Sequence, residues 1–461
     1  MAAAVLTAYG GPVEFGLREF ESAAAERRLR PAAVRIATEI SSAPPGSYRI
    51  LPGRIEGGDL RGLMYGLLAA AAQIRAAGRL AQEKGAPATA VRGLRYVLED
   101  PDSPPEWFYS QDYWLGCIRM LARCRFNRLH LALVQPPGGL NPARPLRFAL
   151  PEFPQLFWPA PGPESSRRDL AMLRLISSAC AEHGIDFTLG IWERGPQTGS
   201  NAEGLSAALA GPYFQAALRR LLAECPMIRR VQIRAGARPP AAGSYAAQAF
   251  RAVAEAGRRV VLEVEEPFYR AAQAGDVPVR LIKEYWTGFL QYPDPHGEAP
   301  GAGEILWDIR RQGPNPAFFW GDPALVRRVA SALAHSRTEG FEIELPAGPP
   351  GPANWFALLL WGRLSYDPQT QPKVWENEVR RRFGLAAPAV LEAFRLASRI
   401  CQESQQEAGD RRARESQARQ RLALAQTLEE VLARTRARAM MHNQEWEALE
   451  AGFRAVARLA R

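Results

Sequence analysis

One segment decides the fold of this chain: Gly93–Leu133, which reads GLRYVLEDPDSPPEWFYSQDYWLGCIRMLARCRFNRLHLAL. Its beginning, Tyr96–Glu99, is short and apolar and predicts a buried strand with an acidic end. From about Asp112 to Cys124, apolar residues recur at steps of three and four, which predicts an amphipathic helix. A short turn then leads into the alternating leucines of a second strand. A crossover of this length predicts that the two strands are parallel neighbours in one sheet.

The same alternation of strands and helices continues from Val91 to about residue 370. The other predicted strands are Arg128–Leu133, Asp186–Trp192, Arg230–Arg234, Val260–Glu265, Arg280–Tyr285, Ile305–Ile309 and Phe341–Leu345. The helices predicted between them are Arg167–His183, Pro212–Cys225, Ser244–Ala256 and Pro323–Ser336. Eight strands that alternate with helices predict an α/β fold of the (β/α)8 TIM-barrel type. Two long Pro- and Gly-rich loops, Gln135–Ser166 and Trp286–Gly303, are predicted to bind ligand at the barrel mouth.

The regions before and after the predicted barrel, which spans residues 91–375, differ from it in pattern. Residues 1–90 predict a small N-terminal α/β domain. Its predicted elements are the helix Val13–Arg28, the strands Ala33–Thr38 and Tyr48–Leu51, the helix Leu60–Gly78 and the linker Gly85–Thr89. Residues 376–461 are rich in Arg and Glu and predict a helical C-terminal region. That region is a candidate for barrel support or for the contact of a homodimer.

Three separated segments carry a family pattern. In the first, the pattern residues are Arg92, Gly93, Tyr113, Trp114, Leu121, Ala122, Arg125, Phe126, Asn127, Leu129 and His130. The second is Arg61-Gly-Leu-Met-Tyr-Gly-Leu-Leu, which runs into a helix to about Ala77, and the third runs from Trp355 through Trp361-Gly-Arg to Arg382-Phe383-Gly384. Together they resemble the small domain, the first barrel unit and the barrel exit of family 20 glycoside hydrolases and α-glucuronidase-like enzymes. The resemblance spans roughly residues 30–385 and implies a barrel that hydrolyses glycosidic bonds.

Catalytic groups of such a barrel come from the carboxyl ends of its strands. Polar residues at the predicted ends are, in chain order, Glu99, Asp100, His130, Glu193, Arg234, Glu265, Glu266, Lys283, Glu284, Asp308 and Glu344. Glycoside hydrolysis usually requires two carboxylates, one as acid and the other as base or nucleophile. We therefore predict that the catalytic residues are among Glu193, Glu265, Glu284 and Asp308. The competing interpretation of each is an ordinary surface or ion-paired carboxylate.

Aromatic and basic residues at the same ends predict substrate binding. Trp192, Trp286 and Trp307 fall at strand ends, where an indole could stack on the C–H face of a sugar. The competing interpretation is core packing. Lys283 is one of only three lysines in a chain that otherwise uses Arg, which indicates a specific contact to a substrate oxygen. Arg234 ends the fourth strand, and His130 is predicted to orient substrate or support the fold rather than transfer protons.

One departure from the family pattern concerns the fourth strand. Family 20 hexosaminidases carry an adjacent Asp-Glu pair there, whereas this chain reads Val231-Gln-Ile-Arg-Ala-Gly-Ala-Arg238. The segment holds no carboxylate, so the substrate-assisted hexosaminidase mechanism is not predicted. A proton donor would have to come from another strand.

The composition argues against several other classes of protein. The formal charge is +10, but the basic residues are scattered and form no basic face with stacking aromatics, so nucleic-acid binding is not predicted. The five cysteines, Cys117, Cys124, Cys180, Cys225 and Cys401, form no CxxC pair and predict reduced thiols rather than a disulfide framework or zinc site. No metal or other cofactor is expected.

No apolar run is long enough for a membrane span, and Gly10, Gly11 and Pro12 interrupt the N-terminal segment, so we expect a cytoplasmic protein without membrane partners.

The sequence thus predicts a glycoside hydrolase that acts on an oligosaccharide or glycoconjugate through paired carboxylates at the barrel mouth. The main alternative is a degenerate barrel that binds glycan without cleaving it. A second alternative, from another class, is a structural or assembly protein that uses its helical C-terminus. A lack of any glycan affinity would favour that last interpretation.

Overall fold

The computed structural model describes residues 10–29, 36–100, 104–135, 142–158, 163–193, 203–234, 251–252, 255, 261–264, 279–281, 305–310, 321–335, 338–344, 354–403, 411–438 and 444–460. Strands in these ranges are β1 Ala37–Ile40, β2 Tyr48–Leu51, β3 Arg54–Gly57, β4 Glu83–Gly85, β5 Val91–Leu98, β6 Arg128–Gln135, β7 Asp186–Glu193, β8 Ile228–Arg234, β9 Val261–Val264, β10 Val279–Leu281, β11 Ile305–Arg310 and β12 Thr338–Glu344. Helices are α1 Pro12–Glu26, α2 Leu60–Ala77, α3 Gln111–Arg123, α4 Pro163–Glu182, α5 Ala207–Glu224, α6 Pro323–His335, α7 Trp355–Tyr366, α8 Lys373–Phe383, α9 Ala387–Glu403, α10 Arg411–Arg438 and α11 Gln444–Leu459.

The first four strands form a small sheet in the order β1-β3-β2-β4, in which only β1 and β3 are parallel. Helices α1 and α2 pack on each other, and α2 packs on the sheet. Helix α2 begins where Asp59 Oδ1 accepts a hydrogen bond from the Gly62 amide at 2.6 Å, and it ends at Gly78 in the left-handed region. The predicted helices Val13–Arg28 and Leu60–Gly78 are confirmed, with small shifts at their ends.

Strand prediction was less complete in this small sheet. The strand Tyr48–Leu51 is confirmed, but the strand predicted from Ala33 begins at Ala37, and residues 30–35 lie outside the described ranges. Strands β3 and β4 were not predicted at all. Both are short, and their sequences, RIEG and EKG, are too charged to show the apolar alternation of a half-buried strand.

Strands β5 to β12 form a second sheet in which every described pairing is parallel. The strand order is β10-β9-β8-β7-β6-β5-β12-β11. The last strand of this sheet along the chain, β12, therefore pairs with its first strand, β5, and Gly340 lies opposite Val91. Within the described residues no pairing joins β10 to β11, and the sheet is not closed. The predicted strand Tyr96–Glu99 is corrected to Val91–Leu98, because Arg92 and Arg95 are buried strand residues despite their charge.

The two faces of this sheet differ in polarity. One face is apolar and meets the helices: Tyr96 contacts Trp114 of α3, and Phe341 contacts Trp361 of α7. Its buried side chains include Leu94, Tyr96, Leu129, Leu131, Leu133, Leu189, Ile191, Val231, Ile233, Phe341 and Ile343. The opposite face, by the alternation of side chains along each strand, carries Arg95, Arg128, His130, Thr188, Gln232 and Glu342, which are also buried. A buried polar face of this extent calls for a functional explanation.

The residues that carry the family resemblance hold elements together. Asn127 joins the first two strands of the large sheet: its Oδ1 accepts from the Arg92 amide at 2.8 Å, and its Nδ2 donates to Ala90 O at 2.7 Å. Gly362 allows α7 to approach the end of α3, because a Cβ there would lie 1.9 Å from Cys124 O. These motif residues therefore serve the fold, and they do not by themselves identify an activity.

From Lys373 onwards the described chain is helical. Helices α9, α10 and α11 pack on one another, with Phe394 of α9 contacting Phe453 of α11 at 5.0 Å between ring centroids. Among the described helices, none is both long enough and apolar enough to cross a bilayer.

Candidate functional site

The centre of the polar face is Glu342, which is fully buried on β12. Its Oε2 lies 2.8 Å from His130 Nδ1 and 2.5 Å from Arg95 Nη2, and its Oε1 lies 2.5 Å from Arg128 Nε. All four side chains are at most 2% exposed. We call these four residues the Glu342 cluster. One carboxylate shared by two guanidinium groups and an imidazole ties together β5, β6 and β12.

Burial and charge act in opposite directions on this cluster. Burial alone would raise the pKa of Glu342, but Arg128, His130 and Arg95 outweigh it and hold that pKa well below its usual range. For His130, burial lowers the pKa and outweighs the attraction of the Glu342 carboxylate. At neutral pH the cluster therefore pairs an ionised carboxylate with a neutral imidazole. The Nδ1 atom of this imidazole can donate to Glu342 Oε2 in one tautomer and accept from Arg95 Nε, 3.2 Å away, in the other.

Acidification is expected to destabilise the protein in two steps. Folded His130 resists protonation, so the unfolded chain binds the proton first as pH falls through about 6.5, and the free energy of unfolding decreases there. Glu342 keeps its charge when folded, so its contribution is present above about pH 4.5 and is lost as pH falls below that value. Urea unfolding at pH 7.5, 6.0, 5.0 and 4.0 measures both steps.

The variant His130→Gln should show a smaller loss between pH 6.5 and 5 than the parent protein. His335→Gln, which changes an exposed imidazole, is the matched control and should follow the parent. Equal pH dependence in the His130 variant and the parent would contradict the assignment.

Two glycines make room for the cluster. A Cβ at Gly93 would lie 2.7 Å from Glu342 Cγ, and a Cβ at Gly190 would lie 2.5 Å from His130 Nε2. Real side chains do not approach so closely. Because Gly93 on β5 and Gly190 on β7 have no Cβ, Glu342 and His130 can contact the backbone of these neighbouring strands.

Gly93→Ala is therefore expected to destabilise the fold by about 1–3 kcal/mol, because Glu342 would have to move away from its guanidinium partners. The control is Gly116→Ala on α3, where a Cβ meets nothing within 4 Å. That change should stabilise the protein by about 0.5–1 kcal/mol, since Ala is the better helix former. Chemical denaturation of both variants checks the pair, and a neutral Gly93 variant would show that the cluster tolerates displacement.

The carboxyl edge of the polar face carries a second set of contacts. Glu344, the last residue of β12, places Oε2 3.5 Å from Arg95 Nη1, and its side chain is 19% exposed. On β7 and β8 the Arg234 guanidinium lies over the Trp192 ring, 3.8 Å from its centroid, and Trp192 Nε1 donates to Gln232 Oε1 at 2.6 Å. Arg95 thus connects the buried cluster to a partly exposed carboxylate at the edge.

The predicted catalytic residues are divided among this edge, the interior of a strand and the residues outside the described ranges. Glu193 is the last residue of β7, where its backbone pairs with Gln135. Asp308 lies on β11 opposite Glu342 in the strand register. Glu265 and Glu284 lie outside the described residues. The structure therefore gives Glu193 and Asp308 a place in the sheet, and their roles stay predictions.

The predicted binding residues divide in a similar way. Arg234 and Trp192 contact each other, and Trp192 is fully buried, so its indole is not an open platform for a sugar ring. Trp307 on β11 pairs in register with Phe341 of β12, and Lys283 and Trp286 lie outside the described residues. His130 is buried in the Glu342 cluster, where it contacts charged side chains.

Sequence reasoning missed the centre of the site. Glu342 was not considered, because it lies in the middle of a strand rather than at its end, and Arg95 lay just outside the strand predicted from Tyr96. A signal was present in the spacing Gly340-x-Glu342-x-Glu344, which puts two carboxylates on one face of a strand. Glu344 was recognised as a strand end but was not chosen as catalytic.

Thiol chemistry is not favoured by the described residues. All five cysteines are free and buried, and burial raises the pKa of Cys117, Cys124 and Cys225 to about 12. Such thiols stay protonated and unreactive at neutral pH. In the described part of the chain no group of three or more His, Cys, Asp or Glu is arranged to hold a metal ion.

Comparison with known proteins gives matches in structure alone. No family model matches the chain, and no curated protein matches its sequence. Among solved structures, the chain is similar to a protein described as a GH138 enzyme targeting pectin rhamnogalacturonan II, with a TM-score of 0.72 and 12% identity over 96% of this chain and 84% of that one. It is also similar to CpGH84B, with a TM-score of 0.57 and 12% identity over 97% of this chain and 84% of that one. At this identity the matches show that the chain shares its fold with glycoside hydrolases.

Proposed function

We propose that this protein is a glycoside hydrolase whose substrate binds at the carboxyl edge of the eight-stranded sheet. The observation that carries the proposal is the fold shared with a GH138 enzyme over nearly the whole chain. The buried polar face supports it, because a sheet interior lined with ion-paired side chains is suited to holding a carboxylate such as Glu344 in place.

We further propose that β5 to β12 close into a TIM barrel, with β10 beside β11. The pairing of β12 with β5 is what such closure requires, since it joins the last strand to the first. In this arrangement residues 91–375 form the barrel, residues 1–90 a separate small domain and residues 376–461 a helical region. Separate unfolding transitions for the first two parts in calorimetry would support this division.

The proposed chemistry uses two carboxylates. Glu344 is paired with Arg95, which stabilises a negative charge and suits a base or nucleophile. The proton donor comes from another strand, in the order of preference Glu193, Glu265 and Glu284, with Asp308 as a further candidate. The fourth strand, β8, ends in Arg234 and supplies no carboxylate, so a hexosaminidase-like pair is not proposed.

The test is hydrolysis by the full chain of a panel of substrates. The panel contains aryl glucuronides, aryl N-acetylhexosaminides and oligosaccharides released from rhamnogalacturonan II. The family resemblance implies the first two, and the third is chosen because the matched GH138 enzyme is described as targeting pectin rhamnogalacturonan II. Release of a reducing sugar from any of them supports the proposal. A protein that cleaves none of them and binds none of them would overturn it.

The second candidate is a barrel that binds glycan without cleaving it. Two observations favour it: the fourth strand lacks a carboxylate, and Trp192 is buried under Arg234 rather than open to a sugar. Calorimetric binding of an oligosaccharide without any product after long incubation distinguishes this candidate from the enzyme.

A further inference from the structure

A second unusual site lies where the small sheet meets the large one, and its centre is Arg125. This residue is 1% exposed and follows α3 with a left-handed φ of 76°. Its guanidinium carbon lies 4.5 Å from the ring centroid of Tyr65 and 5.3 Å from those of Tyr48 and Tyr366. Tyr65 belongs to α2, Tyr48 to the small sheet and Tyr366 to α7. The guanidinium group is thus enclosed by three elements.

Arg125 has no hydrogen-bond acceptor. Within the described residues none of its three side-chain nitrogens has a hydrogen-bond partner, and neither has Nε of the nearby Arg363. Arg92 is also buried beside them, with its Nε donating to Arg125 O at 2.7 Å and its guanidinium carbon 5.3 Å from the Tyr366 ring. Three cationic side chains therefore share one enclosed region. In the described part of the chain no carboxylate forms an ion pair with any of them.

The neighbouring acceptors are already engaged. The Glu83 carboxylate accepts from Tyr48 Oη at 2.5 Å and from Gln73 Nε2 at 2.6 Å. Tyr366 Oη donates to Gly46 O at 2.8 Å. Contact with tyrosine rings is favourable for a cation, but it supplies no acceptor for the N–H groups.

A buried guanidinium without an acceptor is strongly disfavoured, and in protein structures such groups are satisfied by a counter-charge, water or an ion. Burial and the proximity of Arg125 also lower the pKa of Arg363 to about 10, as expected for like charges held together. Because three arginines share this region and no described carboxylate forms an ion pair with them, an anion is favoured over water as the missing acceptor. Because the Arg125 guanidinium is enclosed, a small anion is favoured over a large one.

We propose that a small inorganic anion of the halide class binds between Arg125 and Arg363 and helps to fix the small sheet and α7 to the turn after α3. The anion accepts from the guanidinium N–H groups that lack another partner. The site lies at the amino end of the large sheet, where Arg125 leads into β6, and is separate from the carboxyl edge that carries the proposed glycosidase chemistry.

The experiment has two measurements on the full chain. In crystals soaked in sodium bromide, an anomalous peak is expected within about 3.5 Å of an Arg125 guanidinium nitrogen, slightly longer than an N–H···O bond because bromide is larger than oxygen. In solution, the Tm should be higher in sodium chloride than in sodium gluconate of equal ionic strength by at least about 2 °C, because a ligand that binds only the folded state raises its stability.

The variant Arg363→Gln keeps a donor but removes one charge, and it should lose at least half of the chloride-dependent rise in Tm. Arg380→Gln on the exposed face of α8 is the control and should keep the full rise. Arg125→Met serves as a second variant, and if it folds it should show neither the peak nor the rise. A parent protein with only ordered water at Arg125, or with equal Tm in both salts, overturns the proposal.

Discussion

Replacing Glu342 with Gln is expected to lower the free energy of unfolding by about 3–5 kcal/mol, the range measured when one partner of a buried ion pair is removed. The side chain keeps its shape, so the loss reports charge rather than packing. Arg95 and Arg128 would stay buried without the carboxylate that they share at 2.5 Å. Urea denaturation at pH 7.5, followed by circular dichroism, measures the change.

The matched control is Glu392→Gln on α9. Glu392 also forms an ion pair with an arginine at 2.5 Å, but both side chains are exposed to solvent by more than a third. Exposed pairs of this kind contribute about 0–1 kcal/mol, so the control should unfold nearly as the parent does. If both variants lost the same small amount, the buried cluster would be no more important to stability than a surface pair.

The apolar face of the large sheet could be predicted from the sequence, and this explains why most of its strands were found. Alternating leucines such as Leu129, Leu131 and Leu133 predict a strand even when the residues between them, on the other face, are polar. The helices α3, α4, α5 and α6 were predicted for the same reason, since each turns one apolar side to that face. The observed bounds differ from the predicted ones at both ends of the strands: β5 begins at Val91 rather than Tyr96, and β6 ends at Gln135 rather than Leu133.

The polar face could not be predicted in the same way. Glu342 is 247 positions from Arg95 and 212 from His130 in the chain, and a single sequence does not show which strands lie side by side. Charged residues inside a strand also resemble a loop or a solvent-facing strand, which is why the strand from Val91 was predicted to begin at Tyr96. Only the pairing of β12 with β5 brings the cluster together.

The sequence predicted that the carboxyl edge of the sheet carries the candidate site, but it predicted only some of the residues and contacts found there. The expectation that strand ends carry the chemistry led to Glu193, Arg234 and Trp192, which lie on adjacent strands of the sheet. It did not reveal that Arg234 covers Trp192, because side-chain stacking between strands depends on their register. Nor did it reveal the contact of Glu344 with Arg95, which joins the edge to the buried cluster.

Replacing the general acid of the proposed hydrolase is expected to reduce turnover of natural glycans by roughly 10²–10⁴, because the Gln variant keeps the shape but has no proton to give. Glu193→Gln is the first candidate, and aryl glycosides with activated leaving groups should lose much less, since they need little protonation. Glu344→Gln should reduce the turnover of both substrate types, because a base or nucleophile acts whatever the leaving group. The comparison of two substrates thus separates the two roles.

Glu182→Gln is the control for these variants. Glu182 ends α4, and a helix that follows a parallel strand runs back to the opposite edge of the sheet, so this exposed carboxylate lies away from the proposed site. Its variant should keep the parent rate on every substrate. If Glu193→Gln keeps the parent rate as well, the acid is to be sought at Glu265, then at Glu284 and Asp308. If all four variants and Glu344→Gln hydrolyse natural glycans as the parent does, catalysis does not depend on these carboxylates and the proposed mechanism is wrong.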